Sequence, residues 1–134
     1  MRPTVLFVLA GALGGCDDVL WGAGTEVPLS EEGYAGVQEI ADAYCLACHS
    51  ANAAQGQLDL QTDLHNAVVG VASSADPTWS LVVPGDPQGS LLFLKVTAQT
   101  PPGTGSDMPP GSGGVPEEAA QIIEDWIADG APAQ

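Results

Sequence analysis

Positive charge is nearly missing from this chain: Arg2 and Lys95 stand against seventeen acidic residues, for a formal net charge of −15 over 134 residues. Neutralising phosphates takes clusters of Lys and Arg, so nucleic acid and anionic lipid headgroups are excluded as partners. Aromatic side chains make up only 5%, which leaves a thin hydrocarbon core. No apolar run approaches the roughly 20 residues of a transmembrane helix. No Ser/His/Asp set or paired-carboxylate pattern stands out either. With three Cys, two His and two Met, any metal or cofactor site draws on a short list of side chains. Seventeen Gly and eleven Pro suggest disorder at first sight, but the apolar fraction is 45% and gathers into periodic segments. The length suits one domain, and a bound apolar group would supply core area that the sequence lacks.

What is there begins with an address. Arg2 followed by the apolar run Val5 to Gly14 has the layout of an export signal. Ala10-Gly11-Ala12 offers an ordinary cleavage pattern, whereas Leu13-Gly14-Gly15-Cys16 resembles a bacterial lipobox. Ordinary cleavage would leave Cys16 as an odd thiol in an oxidising compartment, and lipidation uses it. The expected division is therefore a lipoprotein signal peptide over 1–15, a lipidated N-terminus and tether over 16–29, and a folded domain over 30–134. Trp21 falls in the tether.

Within the domain, Ser30-Glu31-Glu32 reads as a helix start with Ser30 as N-cap. Val37, Ile40, Ala41, Tyr44, Cys45 and Cys48 follow at helical spacing on one face. A loop over 50–61 precedes a short helix holding Leu64, Val68 and Val69, capped by Thr62 or Asp63 and stopped by Gly70. Pro84-Gly85 fits the centre of a type II turn. Asp86-Pro87 is the expected start of a buried helix carrying Leu91 to Leu94 and Val96. The Gly/Pro-rich stretch 98–114 must be an internal loop, because only twenty residues follow it. Pro116 at a first helical position, Glu117, Glu118 and Gly130 frame a last helix with Ile122, Ile123, Trp126 and Ile127 inward.

Cys45-Leu46-Ala47-Cys48-His49 is the attachment pattern of c-type haem. Two Cys three apart can reach both vinyl groups along one porphyrin edge, and the adjacent His turns beneath the ring to ligate iron. A thioredoxin-like redox pair is disfavoured, because such pairs start a helix and this one follows a helical run. A zinc site would need a fourth ligand, for which His65 is the only candidate and is badly spaced. A Cys45–Cys48 disulfide would be strained. For the sixth iron ligand, counting favours Met108, the only Met once the signal is removed. It lies in Asp107-Met108-Pro109-Pro110-Gly111, where the prolines restrict the backbone on one side. His65 and an open position remain the alternatives.

Across residues 38–131 the chain resembles single-haem bacterial c-type cytochromes, notably planctomycete-type cytochrome c domains and related envelope lipoproteins. The resemblance rests on Cys45-Leu46-Ala47-Cys48-His49, Val82-Val83-Pro84-Gly85-Asp86-Pro87 with Ser90-Leu91-Leu92, Met108-Pro109-Pro110-Gly111 and Trp126-Ile127-Ala128-Asp129-Gly130-Ala131. It implies an all-α, cytochrome c-like fold with crossed first and last helices around one covalent haem c. It further implies thioethers from Cys45 and Cys48, with His49 and Met108 on the iron. Two departures stand out. Val37 and Ala41 occupy the positions where such domains often carry a Gly and an aromatic residue, so the helix contact must be packed differently, and Val115 is no polar N-cap. The expected function is one-electron transfer in the bacterial cell envelope by a periplasm-facing, lipid-anchored carrier that meets partners with basic docking patches. The rival readings are a haem enzyme or gas sensor with an open distal site, and a haem-bearing docking subunit of a larger membrane oxidoreductase.

Overall fold

The computed structural model describes Leu29 and residues 31–134. The export signal, Cys16, Trp21 and Ser30 lie outside the described residues. Two twelve-residue helices frame the domain, α1 (Gly33–Tyr44) and, at the far end of the chain, a last helix over Glu117–Ala128. Between them come the two-residue strands β1 (His49–Ser50) and β2 (Ala53–Ala54), then α2 (Leu64–Val68) and α3 (Leu91–Val96), which makes the last helix α4. The domain is mostly helical, and α1 and α4 are in contact, as a cytochrome c-like fold requires.

The periodic faces explain that contact. α1 buries Gly36, Val37, Ile40, Ala41 and Tyr44, while α4 buries Ala119, Ile123, Trp126 and Ile127. The close approach falls at Gly36, one residue ahead of the Val37 position examined in the sequence. A Cβ there would lie 2.9 Å from Ile122 Cγ2 and would collide with the Glu31 carbonyl. A side chain of zero size therefore does supply the contact, in a different register. Beyond α4, Gly130 turns the chain at φ +97°, and the Trp126 indole N–H donates to the Pro132 carbonyl at 2.8 Å.

Four local expectations change. The helix expected to carry both cysteines ends at Tyr44, with Cys45 as its C-cap, so the pair sits in the turn that follows. The residue capping α1 at its start is Glu32, and it makes no side-chain cap bond. The helix expected from Asp86-Pro87 begins only after Ser90. There the Asp86 carboxylate accepts from the Gly89 amide at 2.9 Å, and Ser90 Oγ donates to the Asp86 carbonyl at 2.7 Å. Ser90 Oγ also accepts from the Val83 amide at 2.8 Å. These side-chain bonds satisfy the backbone as a turn, in competition with a helix. Pro116, finally, is the N-cap of α4, so the helix starts one residue later than expected.

Other local readings are observed as expected. Asp63 caps α2 by accepting from the Asn66 amide, and Gly70 follows α2 at φ +70°. Gly85 has φ +81°, as the third residue of a type II turn requires, and the turn closes from the Asp86 amide to the Val83 carbonyl at 3.0 Å. The Gly85 amide then donates to the Ile127 carbonyl at 2.7 Å, which satisfies one of the orphan carbonyls at the end of α4.

Candidate haem-attachment site

α1 delivers the cysteine pair through a tight backbone turn. The Cys45 amide still donates to Ala41 at 2.9 Å, and the amides of Cys48 and His49 both donate to the Cys45 carbonyl, at 3.1 and 2.9 Å. His49 then enters the β1–β2 hairpin, pairing with Ala54, and its carbonyl accepts from the Leu60 amide at 2.8 Å. The backbone of the motif is thus tied on both sides. Its ring is different: His49 Nδ1 is buried and has no hydrogen-bond partner. A buried polar atom left unpaired costs about 1–3 kcal/mol and calls for an explanation.

Cys45 and Leu46 pack against the hydrophobic core, which runs through Val37, Ile40, Leu60, Val68 and Phe93. Burial pushes the Cys45 thiol up to about 12, so it is a neutral S–H at ordinary pH. A protonated, desolvated thiol does not suit a redox-active thiolate. Among the described residues, no group of three or more His, Cys, Asp or Glu side chains is placed to hold a metal ion. Cys45 is a free thiol.

Met108 also packs against the core cluster, on a loop that leaves and rejoins α3. The Gln99 amide donates to Leu94 at 2.8 Å, the Met108 amide to Lys95 at 2.9 Å and the Val115 amide to Val96 at 2.8 Å. Within the loop, the single Ser112 Oγ proton has two carbonyl acceptors in reach, Pro109 at 2.7 Å and Gly114 at 2.8 Å. At Gly114, φ is +106° and a Cβ would strike the Val96 carbonyl, so the return to α3 depends on glycine. Burial draws the Lys95 ammonium below its ordinary value, and the charge of Asp107 partly opposes this.

His65 is committed elsewhere. Its Nε2 lies 2.9 Å from the Ala131 carbonyl, which can only accept, so that nitrogen carries the proton. Its amide donates to the Tyr34 hydroxyl at 3.2 Å, and the two rings meet edge to face with centroids 6.0 Å apart. His65 therefore ties α2 to α1 and to the chain end. Thr100 was not singled out by sequence reasoning, yet its Oγ1 is, with His49 Nδ1, one of two buried side-chain polar atoms without a partner among the described residues. Nothing in the pattern of the sequence marks it.

The donor set at this place, two cysteines and an imidazole on one turn with an unpaired buried ring nitrogen, fits a covalently held porphyrin. Comparison with known proteins agrees. The family model for planctomycete cytochrome c matches residues 45–112, half of the chain, from Cys45 to beyond Met108. No curated protein and no solved structure matches. The chain belongs to the planctomycete cytochrome c family, whose chemistry is haem-based electron transfer.

Proposed function

We propose that the protein is a one-electron carrier of the bacterial cell envelope, bearing a single haem c. Cys45 and Cys48 form its two thioethers, each by adding a thiol S–H across a vinyl double bond: sulfur bonds to one carbon, hydrogen goes to the other, and no electrons are lost. His49 and Met108 are the residues that would ligate its iron. The observation that carries this reading is the buried, unpartnered imidazole nitrogen of His49, four residues after Cys45. The bound haem supplies the redox couple. The protein's own groups orient it, keep water from it and leave no coordination position for a substrate.

The lipobox-like Leu13-Gly14-Gly15-Cys16 supports anchoring through an acylated Cys16, and the net charge of −15 supports partners that present basic patches. Association with such partners slows as salt is raised.

The test is expression of the full chain in a host that matures c-type haem. The expected product has the mass of the mature polypeptide plus one haem plus acyl groups. It also shows a ferric Met–iron charge-transfer band, which Met108→Ala abolishes. A mass accounted for by amino acids and acyl chains alone would sink the proposal. Carbon monoxide binding to the native ferrous protein would overturn the closed six-ligand site.

A further inference from the structure

Buried hydroxyls in this domain find partners with one exception. Ser90 Oγ bonds to Val83 and Asp86, Thr104 Oγ1 donates to the Pro101 carbonyl at 2.7 Å, and Ser112 Oγ bonds to Pro109 and Gly114. Thr100 Oγ1 is buried and bonds to nothing. It sits on the loop that carries Met108, between the Gln99 amide held by α3 and the Pro101 carbonyl held by Thr104. The backbone on both sides of Thr100 is thus tied, which fixes where its side chain leaves the loop.

Charge supplies the second observation. A haem brings two propionate carboxylates, and a protein commonly meets such groups with Arg or Lys. Arg2 lies outside the described residues, and Lys95, whose Nζ donates to the Ser106 carbonyl at 2.9 Å, is the one Lys or Arg among those described: a single cation against two carboxylates. At least one propionate is then left to neutral donors. We infer that the Thr100 hydroxyl is such a donor: it hydrogen-bonds to one haem propionate and is a positioning residue for the haem. This rests on the haem reading above. The acceptor is the carboxylate, because an O–H donor gains about twice as much from an ionised acceptor as from a neutral one.

The test compares the haem-bearing wild type with Thr100→Val, which keeps the shape and loses the hydroxyl, and Thr100→Ser, which keeps it. Each reduction potential is followed against pH. A hydrogen bond to the ionised propionate holds its proton affinity down, so its loss in Thr100→Val raises that affinity about tenfold. The pH range over which the potential varies then moves upward by about one unit. Thr100→Ser should restore the wild-type profile. A Thr100→Val profile that overlays the wild type overturns the inference. So does an altered Met–iron charge-transfer band with an unmoved profile, which would place the hydroxyl against the Met108 sulfur. Should Thr100→Val fail to mature, proton NMR of the ferrous wild type decides. A slowly exchanging Thr100 hydroxyl close to propionate methylene protons is expected, and its absence overturns the assignment. Absence of haem from the wild type itself is a different failure, that of the parent reading.

Discussion

Met108 is held by Lys95 twice over: its amide donates to the Lys95 carbonyl at 2.9 Å, while Lys95 Nζ donates to the Ser106 carbonyl two residues upstream at 2.9 Å. One lysine, the only Lys or Arg among the described residues, thus closes the loop from its backbone and from its side chain. Lys95→Met keeps the aliphatic stem and the backbone bond but removes the ammonium. The expected result is a loss of about 1 kcal/mol of stability in urea unfolding, together with a weakened Met–iron charge-transfer band. A variant as stable as wild type with an unchanged band would show that the loop does not depend on this contact.

Gly36→Ala is predicted to destabilise the domain by roughly 1–3 kcal/mol, through overpacking against Ile122 and the Glu31 carbonyl. Helix propensity alone argues the other way, favouring Ala over Gly inside a helix by roughly 0.5–1 kcal/mol. The urea midpoint therefore decides by sign. Ile122→Ala in the same background should recover part of the loss, since it removes one of the two obstacles.

Ser90 is fully buried, and its hydroxyl is the partner of the Val83 amide. Ser90→Ala leaves that amide without an acceptor at an expected cost of about 1–3 kcal/mol. Thermal unfolding measures it. The absorption spectrum should stay unchanged, because the turn supports the fold and does not touch the proposed ligands.

His65→Phe separates the two candidate distal ligands. It removes the bond to the Ala131 carbonyl and preserves an aromatic ring beside Tyr34, so stability should fall by about 1 kcal/mol. The visible spectrum and the charge-transfer band should match the wild type. A changed ligand spectrum would return His65 to the iron.

Asp63 gives a pH signature. Hydrogen bonds from the Asn66 amide, then from its side chain, hold the Asp63 carboxyl below its ordinary value of 3.8. The folded state thus favours the ionised form, and the stabilisation is fully present above that value and is lost as pH falls through the lowered one. Asp63→Ala should be less stable than wild type at neutral pH, with the gap shrinking as the solution is acidified. Parallel stability curves at all pH values would show that folding does not change the proton affinity of this carboxyl, so that the cap gains nothing from its charge.

Read alone, the amino-acid order determined whatever depends on near neighbours. The Cys45–His49 spacing, the inward faces of α1 and α4, the Asp63 cap and the Pro84-Gly85 turn are all set by helical period, side-chain reach or backbone sterics over a few residues. Contacts between distant segments are another matter. Which glycine meets Ile122, why Ser90 serves Val83 instead of capping α3, and that His65 is taken by a carbonyl sixty-six residues further on were decided by tertiary structure. The same holds for Thr100, whose hydroxyl is the one buried hydroxyl without a partner among the described residues, a fact that emerges only once the others have found theirs. A donor's nature is written in its own side chain, but its partner is whichever backbone the fold carries there.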